Sequence, residues 1–169
     1  MTAPDFPPLA DDFLDLATRM LSDDLVEQNQ AVVRRAISTA YYAVFHRLCE
    51  LCADALVGKG RSPFAYPLIY RALDHGPAKK VANHAKLLDK DLSWTLNQFQ
   101  ELQDARLWAD YDPSPGRKTE KGRRFPQEKA RELVEFARSA ISALNALSAE
   151  QQVRLAALLI GKLRVKQAD

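Results

Sequence analysis

The chain has 169 residues and a mass of 19.0 kDa, and 47% of its residues are hydrophobic and 27% charged. These proportions match an average soluble globular protein and exclude a disordered chain, a collagen-like repeat and a disulfide-stapled miniprotein. The formal net charge of +2 combines −5 over residues 1–56, from four basic and nine acidic residues, with +7 over residues 57–169. Such a chain can dock head to tail or offer a basic surface to nucleic acid, although many helical proteins share this split.

Apolar residues recur at helical spacing almost from end to end, and no strand-like alternation is visible. The spacing predicts helices over Leu9–Leu21, Leu25–Leu56, Tyr66–Leu73, Ala78–Leu88 and Leu92–Tyr111, a sixth that begins at Pro126 and a last one that ends near Leu163. Ser148, with Gln151 three positions later, indicates a capping box at the start of the last helix. We therefore expect an all-α fold, an antiparallel helical bundle of five to seven helices.

The length predicts a single domain, 1–169. Two cysteines in a chain of this length indicate a reducing compartment, and hence the cytoplasm. The short, proline-rich and acidic start lacks the features of a signal peptide. The apolar stretch Leu155–Gly161 is much shorter than the roughly 20 residues that span a bilayer, so no membrane partner is expected.

The second predicted helix carries two stripes. An apolar stripe runs from Val33 to Ala55 at steps of three and four, typical of a core-facing helix. A second face aligns Arg35, Tyr42, His46 and Cys49, at steps of seven, four and three. This face is interpreted either as a polar site in which His46 titrates near neutrality, or as a half-buried seam against another helix or subunit.

Arg106 continues the apolar stripe of Phe99 and Leu102, so its charge points towards the core. A guanidinium in that position requires a carboxylate or an anionic ligand. Asp110, four residues later, can pair with it, and Tyr111 follows directly. Arg106 is therefore either a cation that binds phosphate or stabilises a transition state, or one half of a structural ion pair.

Residues 112–125 are predicted to form a loop with five basic residues that contact phosphates non-specifically or are simply solvated. These residues are Arg117, Lys118, Lys121, Arg123 and Arg124. Cys49, Cys52 and His46 do not have the spacing of a zinc ribbon, so no metal is expected. No nucleotide-binding glycine motif or hydrolase motif is present, and no cofactor is predicted.

The segment Arg34–His46, with the sequence RRAISTAYYAVFH, resembles the signature helix of HEPN-domain proteins. Asp74–Pro77 and Arg106–Tyr111 also resemble what that family carries in corresponding order. The likeness covers residues 9–147, so the resemblance implies a HEPN-like bundle over this range and a C-terminal helical extension over residues 148–169. The resemblance implies a HEPN-like helical bundle that forms a homodimer and serves a bacterial or archaeal toxin–antitoxin, defence or stress system. It also implies an RNA ligand or a cognate partner protein, such as a nucleotidyltransferase-type subunit.

Catalytic members of that family use an arginine followed, after four to six residues, by a histidine. No arginine here has a histidine at that distance, and Tyr111 stands where it would follow Arg106. The first hypothesis is therefore a dimeric module that binds RNA, a nucleotide or a partner protein without the usual RNase motif, with Arg35 and Tyr42 among its binding residues. The alternative is a metal-independent RNase toxin that uses Arg106, paired with Asp110, together with His46 or Tyr111.

Overall fold

A computed structural model describes residues 7–22, 29–58, 60–76, 90–112 and 126–161 of the chain. These ranges fold into the helices α1 (Leu9–Met20), α2 (Gln30–Val57), α3 (Ala65–Tyr70), α4 (Lys90–Tyr111), α5 (Gln127–Asn145) and α6 (Ala149–Ile160). No strand occurs among them, which confirms the all-α helical bundle for the part described. The helix predicted over residues 78–88 lies outside the described residues. None of the described helices is long and apolar enough to cross a membrane.

Helix α2 is the central element of the bundle, because it packs against α1, α3, α4, α5 and α6. Its predicted apolar stripe is buried from Val33 to Leu51. Three alanines between these positions, Ala36, Ala40 and Ala43, are 0% exposed, and their small side chains let neighbouring helices approach closely. A helix that is surrounded in this way places its polar residues inside the molecule or at the openings between its neighbours.

The observed helix ends follow the capping residues rather than the apolar pattern. Helix α2 begins at Gln30 and not at Leu25, because the side chain of Asn29 accepts a hydrogen bond from the Ala31 N–H at 3.1 Å. The predicted start was therefore too early. Pro126 is the extended N-cap of α5, with ψ of 131°, and not its first helical residue. Gly58 ends α2 with a φ of +84°, a backbone conformation that glycine adopts without steric cost.

The last helix is joined to the same core as the others. The capping box at its start is confirmed: the Ser148 hydroxyl accepts from the Gln151 N–H at 3.3 Å, and the Gln151 side chain accepts from the Ser148 N–H at 2.9 Å. Helix α6 packs on α2 and contributes the buried residues Leu155, Ala156 and Leu159 to the hydrophobic core.

One arginine fastens the end of α4 to α2. Arg34 Nη1 donates to the carbonyl oxygens of Ala109 at 3.1 Å and of Asp112 at 2.6 Å. The last carbonyl groups of a helix have no partner within the helix and carry partial negative charge, so a guanidinium satisfies them well. This contact holds the last two turns of α4, which carry Arg106 and Asp110, beside the middle of α2.

Candidate functional site

The structure brings Arg106 against residues of α2 and against its own helical neighbour. Its Nε donates to Asp110 Oδ2 at 3.2 Å, and its Nη2 donates to the hydroxyl oxygen of Tyr42 at 3.0 Å. The Arg106 side chain is 14% exposed. Its Nη1 makes no hydrogen bond with the part of the chain that is described. Two sides of the guanidinium are therefore fixed, while the third is unpaired.

Two tyrosine rings lie beside the same guanidinium. Arg106 Cζ lies 5.5 Å from the ring centroid of Tyr41 and 5.3 Å from that of Tyr42. Both distances are within the range of cation–π attraction. The rings meet edge to face, with centroids 5.3 Å apart. The rings therefore restrain the arginine in one orientation without neutralising its charge.

Asp110 is itself held by a second donor. The hydroxyl of Ser38, which is 0% exposed, donates to Asp110 Oδ2 at 2.9 Å. The same oxygen thus accepts from both Ser38 and Arg106, and the carboxylate is fixed in place. The i, i+4 pair that the sequence predicted is formed, and it is anchored to α2 by a contact between residues 72 positions apart.

His75 joins this group from the turn that follows α3. Its Nδ1 shares a hydrogen bond with the hydroxyl of Tyr41, and its ring centroid lies 4.3 Å from that of Phe45. The side-chain amide of Gln103 donates to the His75 carbonyl at 3.1 Å. Burial lowers the pKa of His75 from 6.5, and the charge of Arg106 lowers it further. His75 is therefore neutral at pH 7, and it is close enough to Arg106 to respond to its charge.

We call this group the Arg106 cluster. Its members are Ser38, Tyr41, Tyr42, His75, Arg106 and Asp110. The sequence did not indicate His75 as a site residue, because a histidine followed by glycine and proline is typical of a helix end. The signal that could have selected it was the position of Asp74–Pro77 between the two other segments that resemble HEPN proteins.

His46 lies one helical turn from Tyr42, but it faces another part of the bundle. Its ring stacks on Phe13 of α1 with a centroid distance of 5.0 Å, and its Nδ1 lies 2.6 Å from the Tyr70 hydroxyl. Burial lowers its pKa from 6.5. No hydrogen bond joins it to Arg106 within the described ranges. His75, and not His46, is therefore connected to the arginine by a hydrogen bond, through Tyr41, whose ring lies against Arg106.

The remaining sequence-predicted residues lie outside the cluster. Tyr111 is 72% exposed at the end of α4, and Arg35 is exposed on α2. The five basic residues Arg117, Lys118, Lys121, Arg123 and Arg124 lie outside the described residues.

The two cysteines are buried within the core. Cys49 and Cys52 are 1% and 0% exposed, and burial raises the pKa of both thiols to about 12. Neither is therefore a thiolate at neutral pH, which makes both poor nucleophiles and poor metal ligands. Among the described residues, no group of three potential metal ligands is found.

Comparisons with known proteins identify no relative of this chain. No protein-family model matches the chain, and no curated protein or solved structure shows significant similarity to it.

Proposed function

We propose that the chain is a HEPN-like helical module that binds RNA, and that the Arg106 cluster holds one phosphate group of that RNA. The observation that carries this proposal is the geometry of Arg106. Its guanidinium is fixed by Asp110 and Tyr42, while its Nη1 is unpaired among the described residues. A positioned guanidinium with a free N–H is suited to a phosphate oxygen, because charge-assisted hydrogen bonds of this kind are short and strong.

The surroundings of Arg106 support the same proposal. Tyr42 is half-buried beside the arginine, and an aromatic side chain next to a cation is a common platform for an unpaired base. His75 is exposed at the rim of the cluster and can add a hydrogen bond to a phosphate or ribose oxygen. The resemblance of Arg34–His46 to the HEPN signature favours RNA over other anions. The expected setting is a cytoplasmic stress or defence system with a cognate partner.

The test is the affinity for a fluorescently labelled single-stranded RNA, measured by anisotropy at several salt concentrations. Arg106→Gln is expected to weaken binding about tenfold and to reduce the salt dependence, as expected for one lost phosphate contact. The matched control is Arg131→Gln, because Arg131 is exposed on α5. If both variants lose the same affinity for RNA, the loss reflects the lower positive charge of the protein and not a contact at Arg106. This result would contradict the proposal.

A second candidate function is RNA cleavage, and His75 is the observation that favours it. His75 is neutral at pH 7, and it is hydrogen-bonded to Tyr41, whose ring lies against Arg106. A neutral histidine near an anion-stabilising cation is the combination that a general base requires. In this reaction His75 takes the proton of a ribose 2′-hydroxyl, whose oxygen forms a bond to phosphorus. The bond from phosphorus to the 5′-oxygen breaks, and that oxygen takes up a proton from water.

Cleavage is tested with a mixed RNA pool in the presence of a chelator. The enzyme hypothesis expects fragments that end in a 2′,3′-cyclic phosphate. It also expects the rate to fall about a hundredfold or more in Arg106→Gln and in His75→Asn. Arg131→Gln is again the control. If the wild-type protein binds RNA and leaves it intact, only the binding function remains.

A further inference from the structure

Ser38 belongs to the Arg106 cluster but is closed to solvent, with an exposure of 0%. A serine or threonine within a helix commonly bonds back to the carbonyl group four residues earlier. The neighbouring Thr39 does so, since its hydroxyl donates to the Arg35 carbonyl at 2.7 Å. Ser38 instead donates to Asp110 Oδ2 on α4 at 2.9 Å. Its hydroxyl is therefore used by the cluster itself, and a ligand cannot reach it directly.

The contact between Asp110 and Arg106 is made through a single carboxylate oxygen. Oδ2 accepts from Arg106 Nε at 3.2 Å, and it is the same oxygen that accepts from Ser38. Oδ1 accepts no hydrogen bond from any residue that the structure describes. Arginine and a carboxylate that is free to turn commonly form a fork, in which two oxygens meet two N–H groups. The structure has the weaker, single contact, although the two side chains lie one helical turn apart.

The hydroxyl of Ser38 accounts for this difference. It donates to Oδ2 from α2, so the carboxylate of α4 is held between two helices. A turn of the carboxylate that brings Oδ1 to a second N–H of Arg106 changes the direction of the Oδ2 lone pairs and weakens the bond from Ser38. In the observed arrangement Arg106 Nη2 donates to the Tyr42 hydroxyl at 3.0 Å, and Nη1 is unpaired among the described residues.

We propose that Ser38 is a positioning residue that keeps Arg106 available for an anion. By holding Oδ2, it restricts Asp110 to the single contact and leaves Nη1 for a phosphate oxygen. Without the hydroxyl, the carboxylate pairs with Arg106 through both oxygens, and a phosphate then has to displace an N–H contact before it binds. This inference rests on the proposed phosphate binding at Arg106.

The experiment measures the affinity of Ser38→Ala for the labelled single-stranded RNA by anisotropy at several salt concentrations. We expect binding about fivefold weaker than that of the wild type, and a smaller salt dependence, although the substitution removes no charge. Thr39→Val is the matched control, because it removes a buried hydroxyl from the next position of α2 without touching the cluster. It is expected to bind RNA as the wild type does.

A second pair of variants tests whether Ser38 acts through Asp110. In an Asp110→Ala background there is no carboxylate to hold, so adding Ser38→Ala is expected to change the affinity by less than about twofold. Alanine is the best helix former, so Ser38→Ala retains α2, and a thermal melt of each variant verifies the fold. If alanine destabilises the protein, Ser38→Cys removes the strong donor at nearly constant size and is expected to show the same loss.

Three results would overturn the inference. The first is wild-type affinity of Ser38→Ala while Arg106→Gln binds weakly, which leaves the proposed function intact. The second is an equal loss from Ser38→Ala with and without the Asp110 carboxylate. The third is an equal loss in Thr39→Val. Equal affinities of the wild type and Arg106→Gln would instead contradict phosphate binding at Arg106, and the role of Ser38 would fall with it.

Discussion

His46 is held inside the bundle as a neutral ring, and this makes the stability of the protein depend on pH. Its folded-state pKa lies below 6.5, so the unfolded chain binds a proton more readily than the folded one. Its contribution to stability is full above pH 6.5 and is lost as the pH falls from 6.5 towards the folded-state pKa. We expect the free energy of unfolding, measured with urea, to decrease over this range.

The variant His46→Gln keeps a hydrogen-bonding group for Tyr70 and removes the titration. It is expected to flatten the pH profile in part, because His75 also has a lowered pKa and continues to contribute. Profiles of the wild type and His46→Gln that decline in parallel between pH 6.5 and pH 5 would contradict this assignment.

Contacts within one helix were accessible from sequence, and contacts between helices were not. The pair of Arg106 and Asp110 follows from i, i+4 spacing alone. The bond from Arg106 to Tyr42 joins residues 64 positions apart, and that between Tyr41 and His75 joins residues 34 positions apart. Helical periodicity shows which residues share a face, but not which face of another helix they meet. For this reason the sequence indicated His46 as the histidine of the site, whereas in the structure the turn after α3 packs His75 against Tyr41.

At the scale of the helices, capping side chains explain why one predicted helix boundary is confirmed and another is wrong. The capping box of Ser148 and Gln151 is a local pattern and was found. The apolar pattern does not mark Asn29 as the helix start, because the apolar residues Leu25 and Val26 extend the pattern of α2 upstream. When apolar residues precede an N-cap, the helical spacing of apolar residues continues upstream of the true helix start. The only sequence signal for the start of α2 is then the preference of asparagine for the N-cap position.

The capping box is expected to contribute measurably to stability. Ser148→Ala removes the acceptor for the Gln151 N–H at the start of α6, and it should lower the free energy of unfolding by about 1 kcal/mol. The matched control is Ser142→Ala, because Ser142 is exposed within α5 and its side chain makes no hydrogen bond with the described part of the chain. Its effect is expected to stay within about 0.5 kcal/mol. Equal effects would assign the loss to helix propensity rather than to the cap.

At the scale of the whole molecule, the resemblance to HEPN proteins predicts a homodimer, and we expect the second copy of the chain to lie near the Arg106 cluster. Two apolar side chains are exposed at this end of α4, Leu107 at 45% and Tyr111 at 72%. Exposed apolar residues that adjoin a polar site are common at interfaces between subunits. The resemblance to HEPN proteins is the reason to expect that the partner is another copy.

Leu107 has a matched counterpart on a different surface, which makes the dimer testable. Leu68 of α3 is 55% exposed and is not a member of the Arg106 cluster. We expect the wild type to have the mass of a dimer by light scattering at micromolar concentration. Leu107→Asp should yield monomers, because a carboxylate in an apolar interface has no partner, while Leu68→Asp should remain dimeric. A monomeric wild-type protein would contradict the dimer, and the Arg106 cluster would then act within a single chain. Dissociation of the dimer by Leu68→Asp, but not by Leu107→Asp, would place the interface on α3.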